Sequence, residues 1–213
     1  MASPSSITGG GGDLNFLGPE HQVVAEGLVV AGVDAVRKAV REEIKHGSDW
    51  IKVLASGAMM SAGNDPNRAH FSPEELGAIV EEASRLGVPV AAHSHSAAGI
   101  RAAIIAGART IEHGTFIDDE GLRLMKEKGV YLVPTLYVGD YYLNEQPGSA
   151  AQAKMNELTR KYRAQHIAAV GKAIKVESEQ DNLFTITATA SGDGSDAETA
   201  RLAQQIAQKM IDI

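Results

Sequence analysis

The stretch "VPVAAHSHSAAGI", residues 88–100, opens as an apolar run and ends with two histidines in three positions. A short apolar segment bounded by turn signals reads as a buried strand, and the small residues after it begin a helix over Ala97 to Ala106, closed by Gly107. Just upstream, "SPEELGAIVEEASRLG" (72–87) carries Ser72 as N-cap and Pro73 at the first helical position. Glu75 completes a capping box and Gly87 is a stop. The alternation continues in both directions. "DAVRKAVREEIKHG" (34–47) is a helix with Val36, Ala39, Val40 and Ile44 on its apolar face, and "DWIKVLAS" (49–56) is the strand after it. "RTIEHGTF" (109–116) and "VYLVPTLYV" (130–138) are strands around the helix "DDEGLRLMKEKG" (118–129), and a long polar helix covers about Ser149 to Lys175. Strands alternating with amphipathic helices predict a parallel α/β fold.

The last residues differ in character. "NLFTITATA" (182–190) is Thr-rich and alternating, as in an edge strand. A Gly/Asp/Ser loop then leads to a helix capped by Ser195 and Glu198, with Leu202, Ile206 and Met210 as its buried stripe. This tail reads as a structural strand and helix packed on the same domain.

Composition narrows the function classes. A chain of 213 residues is long enough to bury one substantial core. The formal charge of −7, with no Lys/Arg-rich block, argues against a nucleic-acid partner. The absence of cysteine excludes thiol catalysis, Cys-zinc sites and disulfides, and fits a cytoplasmic location. The start shows no signal-peptide pattern, and no apolar run is long enough to span a membrane. "GGGG" (9–12) lacks the spacing and the Lys of a phosphate loop, and there is no G-x-S-x-G elbow.

Chemistry concentrates at the C-terminal ends of successive strands, the edge where parallel α/β folds place their sites. Lys52, His93 with His95, and His113 all fall there. Residues two apart on a strand share a face, so His93 and His95 point one way and Ser94 the other. A lone strand-end histidine is usually just a hydrogen-bonded polar residue. Lys52 is odder, because "WIKVL" sets an ammonium in an apolar strand, where it must reach solvent, lose its proton or find an anion. Three such positions on consecutive strands favour a site, and neutral imidazole is the commonest metal ligand. The loop residues Asp65, Arg68 and His70 read as solvated, and His21, His46 and His166 as surface residues.

From about Ser6 to Lys175 the chain resembles the metal-dependent amidohydrolase superfamily, in particular the imidazolonepropionase-like hydrolases that include Xaa-Pro dipeptidases. The pieces that carry the likeness are "ITGGGGD", "VRKAVREEIKHGSDWIKVLASG", "FSPEELGAIVEEASRLGVPVAAHSHSAAGIRAAIIAGARTIEHGTFIDDEGLRLM" and "YLVPTL". The spacings of 41 residues from Lys52 to His93 and 20 from His93 to His113 agree with it. The resemblance implies a partial, truncated TIM-type β/α barrel with five βα units over residues 1–176, and the added strand and helix of residues 177–213 bring the chain to about six parallel βα units. It also implies metal ligation by His93, His113 and a CO₂-carboxylated Lys52, with His95 and Tyr137 as catalytic or substrate-contacting groups.

The family's strand-one HxH pair and strand-eight Asp have no counterpart in the sequence, and Gly11 stands where relatives have His. One ion, zinc for preference, is therefore expected rather than two, acting on a small amide, peptide, lactone or activated ester. Raw sheet edges would favour a homo-oligomer. The non-catalytic alternative is a folded remnant or engineered fragment that mainly self-associates. A third reading has a partner chain supplying the missing ligands.

Overall fold

The computed structural model describes residues 6–9, 28–59, 65–137, 143 and 150–181. Contacts divide the chain into two units, Met1–Ala169 and Val170–Ile213. In chain order the elements are β1 (Ser6–Gly9), β2 (Leu28–Val30), α1 (Val33–Lys45), β3 (Ile51–Leu54), α2 (Pro73–Arg85) and β4 (Val90–Ser94). They continue with α3 (Ala97–Ala106), β5 (Thr110–His113), α4 (Asp119–Lys128), β6 (Tyr131–Val133) and α5 (Ala150–Asp181).

The helix ends follow their capping chemistry. Ser72 accepts the Glu75 N–H while the Glu75 carboxylate accepts the Ser72 N–H, so the predicted capping box of α2 is formed. Ser96 caps α3 through the Gly99 N–H, and Asp118 caps α4 through the Gly121 N–H. On α1 the buried face is Val36, Ala39, Val40 and Glu43, with Glu43 held by the Ser48 hydroxyl. Ile44, expected in that stripe, is only half-buried.

The six strands form one parallel sheet in the order β2–β1–β3–β4–β5–β6. Strand β2 was not among the sequence-based expectations, which placed a sixth strand at 182–190, outside the described residues. The tail helix also lies outside them. From β3 to β6 the strands follow chain order, each crossing to its parallel neighbour through a helix.

Alternation splits the sheet into two faces. Ile51, Val53, Val90, Ala92 and Ile111 are buried on the face that packs helices α1–α4, which lie side by side. Lys52, Leu54, Ala91, His93, Thr110 and Glu112 share the other face, in rows set by the register Lys52–Ala91–Thr110 and Leu54–His93–Glu112. An open doubly-wound sheet carries helices on both faces, whereas a β/α barrel wall carries them on one. The layer that α1–α4 form on one face is the barrel arrangement. Among the described residues β2 and β6 are the sheet's two edges.

Candidate metal centre

Three histidines meet where β4 and β5 end. The ring centroids of His93 and His95 are 4.8 Å apart, those of His93 and His113 4.6 Å, and those of His95 and His113 4.8 Å. One ring nitrogen from each lies within 4.8 Å of the others. His93 and His95 are buried, at 7% and 6% exposure. They reach the cluster by simple alternation, whereas His113 reaches it through a left-handed backbone at φ 72°.

Each ring is held from behind. His95 Nδ1 lies 2.8 Å from the Thr115 hydroxyl, and His113 Nδ1 lies 2.7 Å from the Thr135 hydroxyl. His93 Nε2 makes a longer contact of 3.4 Å with the Gly57 carbonyl, which can only accept, so that nitrogen carries the proton. The nitrogens left over are Nδ1 of His93 and Nε2 of His95 and His113. The loop after β3 adds a further brace, because the buried Ser56 hydroxyl accepts the His95 N–H at 2.7 Å.

The electrostatics keep all three rings neutral. Burial, reinforced by the Lys52 ammonium, pushes His93 down to about 4. Burial, then His93 and Lys52, pushes His113 down to about 2. Burial, with His113, His93 and His166 around it, carries His95 well below the usual imidazole range. Desolvation of the charged form is the largest cause in each case. Three neutral imidazoles, each oriented by a bond at its other nitrogen or its backbone, are the donor set of a zinc-type site. The residues present fit a divalent metal ion.

Lys52 lies one row further from the strand ends, on the same face as His93. Burial lowers its amine, and the Glu112 carboxylate opposes that shift. Glu112, which accepts the Thr110 hydroxyl at 2.7 Å, is an inward-facing acid that sequence reasoning passed over. The structure thus brings His93, His95 and His113 together with Lys52 close by. Tyr137 is 45% exposed and does not line the cavity beside the cluster.

That cavity holds about 310 Å³. Leu54, Ala58, Met59 and Leu136 give it apolar walls. Thr159, Tyr162, Arg163 and His166 also line it, at the i, i+3, i+4 and i+7 spacing of one face of α5. His166 corrects an expectation. Far from being a surface residue, it is half-buried, lines the cavity and donates Nε2–H to the His113 carbonyl at 2.8 Å. The signal was present in the sequence as a polar stripe of helical period, where a helix of a β/α fold usually turns inward with apolar side chains. His46 is exposed as expected, Asp65 and Arg68 are exposed loop residues, and His21 lies outside the described residues.

The model of the amidohydrolase family matches residues 16–210, a span that reaches through most of the segment 177–213. Ochratoxinase of Aspergillus niger is 50% identical over 115 residues, which are 54% of this chain and 24% of that protein. The crystal structure of A. niger ochratoxinase matches with a TM-score of 0.72 at 35% identity, over 82% of this chain and 43% of that one. A Xaa-Pro dipeptidase with methionine bound in its active site matches with a TM-score of 0.68 at 31% identity, over 80% and 43% of the respective chains. The chain therefore spans about a quarter of the curated relative's length and less than half of these solved chains.

Proposed function

The chain belongs to the amidohydrolase family, and from that premise we propose that it is a hydrolase in which His93, His95 and His113 hold one divalent metal ion, zinc for preference. The observation that carries this reading is the cluster of three neutral imidazoles beside a cavity, their ring centroids 4.6 to 4.8 Å apart. Three protein ligands suffice for a catalytic zinc site. The chemistry such an ion supplies is Lewis acidity toward water and toward a carbonyl oxygen. His95 is grouped with the other two because its ring lies as near to each as they lie to one another. The Thr115 and Thr135 hydroxyls keep the Nδ1 sides of His95 and His113 occupied, which leaves Nε2 to face the cavity.

The substrate is a small amide, peptide, lactone or activated ester. A volume of about 310 Å³ is at the lower end of small-molecule sites, which run from about 300 to 1,000 Å³. The apolar walls bury a substrate's hydrocarbon part, while Tyr162 and Arg163 offer a phenol and a guanidinium to its polar groups. Lys52, carboxylated by CO₂ at its amine, adds an anion that offsets the metal's charge. Burial of Lys52 favours the neutral amine that this reaction needs.

Metal analysis of the purified protein, with a panel of dipeptides, N-acyl amino acids, lactones and activated esters, tests the reading. Stoichiometric zinc and turnover are expected, both lost in His93→Ala. Protein that takes up no stoichiometric zinc, manganese or iron refutes it. We also propose self-association. β2 and β6 each pair on one side only among the described residues, and Tyr131 and Val133 on β6 are exposed. A clean monomer by sedimentation at high concentration refutes that.

A further inference from the structure

His113 and Thr135, at φ 72° and 49°, are the non-glycine residues with positive φ among the described residues. On β5, His113 shares the parity of Ile111, which is fully buried against the helical layer. Regular strand geometry would therefore carry the His113 ring away from His93 and His95. Instead the Gly114 N–H closes back on the Glu112 carbonyl at 3.1 Å. An i→i+2 bond around a residue with positive φ is the rarer and more strained kind of γ-turn. Such a backbone persists only where its surroundings over-determine it.

Three contacts do so. The Gly114 N–H also donates to the Ser94 carbonyl at 3.0 Å, within the sheet. The Thr135 hydroxyl holds the ring at Nδ1. The third contact reaches from α5, 53 residues further along the chain, where the His166 Nε2–H donates to the carbonyl of His113 itself, at 2.8 Å and partly shielded from water. The Ser94 and His166 contacts hold the two ends of the peptide group between His113 and Gly114, and of the three contacts the His166 bond is the one made to its carbonyl and the one that comes from α5.

We infer that His166 is a positioning residue, whose Nε2–H holds the His113 carbonyl and so keeps the strained turn that aims the His113 ring into the histidine cluster. The inference rests on the metal-centre reading for its consequence, since a released His113 takes one of three ligands out of place. Its structural half concerns the turn alone and is open to measurement in metal-free protein.

The experiment compares His166→Phe, which keeps a ring but no donor, with His166→Gln, whose amide restores an N–H. Zinc affinity is read by competition with a chromophoric chelator, and amide hydrogen exchange at Gly114 is read in metal-free protein. His166→Phe is expected to weaken zinc binding by about 10–100-fold, the usual effect of losing a group that orients a ligand, and to speed exchange at Gly114. His166→Gln is expected to stay close to wild type on both. The inference is overturned if His166→Phe binds zinc as wild type does and leaves Gly114 exchange unchanged. It is also overturned if His166→Gln falls as far as His166→Phe. Should wild type bind no zinc, the metal-centre reading fails, and the Gly114 exchange rates decide the inference by themselves. If His166→Phe does not fold, His166→Ala takes its place with the same readouts.

Discussion

Replacing Thr115 by valine removes one oxygen from behind the cluster while keeping the branched shape. Thr115 is 2% exposed, and its hydroxyl lies 2.8 Å from Nδ1 of a histidine that is itself 6% exposed. No water can easily take the place of the lost partner, so the substitution leaves a buried ring nitrogen unpaired. That costs about 1–3 kcal/mol. In a chain of this length each kcal/mol moves Tm by about 2–4 °C, which makes the stability change measurable by calorimetry. The functional cost is separate. Without the Thr115 bond the His95 ring is free to change tautomer and to rotate, and metal affinity should fall about 10–100-fold, equivalent to ~1.4–2.8 kcal/mol. Thr115→Ser is the control. It keeps the hydroxyl and loses a methyl group, so it should lower Tm and spare zinc affinity. Chelator competition gives the affinities and calorimetry of metal-free protein gives the stabilities. A Thr115→Val protein that binds zinc as tightly as wild type would show that His95 needs no orienting partner, and its place among the ligands would fall with it.

Gly114→Ala should destabilise the fold by about 2–5 kcal/mol, from ~1–2 for a left-handed backbone and ~1–3 for overpacking. Gly114 has φ 65°, and an added Cβ would lie 2.6 Å from Leu132 Cδ1. Urea unfolding measures it, and adding Leu132→Ala should recover the packing part; strict additivity of the two would refute the clash. Lys52→Met separates two states of that lysine. If Lys52 is carboxylated, the variant loses metal, and wild type gains metal when bicarbonate is added. Tighter metal binding by Lys52→Met would mean that an ammonium had been repelling the ion. Glu82 gives a pH prediction away from the cluster. The Arg41 and Arg85 guanidiniums hold its buried carboxyl down at about 2, from an ordinary 4.5. Its stabilisation is therefore full above about 4.5 and lost as pH falls toward 2. The stability gap between wild type and Glu82→Gln should close over that interval in denaturant titrations, and a gap independent of pH would refute the assignment.

Glu82 also shows how the helical layer is joined. On α2 it accepts from Arg41 of α1 at 2.8 Å, from Arg37 of α1 at 3.4 Å, and from Arg85 one turn along its own helix. The four charged groups tie α1 to α2 on the side of the sheet away from the histidines. The sequence pattern marks both helices as amphipathic, yet it cannot say which acid of "EE" at 81–82 turns inward. Side-chain exposure of 2% for Glu82 against 69% for Glu81 decides it.

Local chemistry written in the chain was enough for the α/β class, for α2 and its capping box, for α3 to the residue, and for His93 and His95 on one face at a strand end. Each depends on residues within a few positions of one another, where periodicity, caps and alternation act directly. What tertiary structure alone decided involves groups far apart in the chain or a backbone that leaves the regular pattern. Strand β2 is three residues long and gains its identity only from pairing with β1. His113 lies on the wrong parity for the cluster and enters it through a strained turn that no alternation rule anticipates. Thr115, Thr135 and His166 matter through bonds that form only once the ends of β4 and β5, the segment after β6 and α5 have come together. Spacing in the sequence could nominate the imidazoles. Their orientation, which makes three imidazoles into one site, comes from long-range hydrogen bonds that exist only in the folded chain.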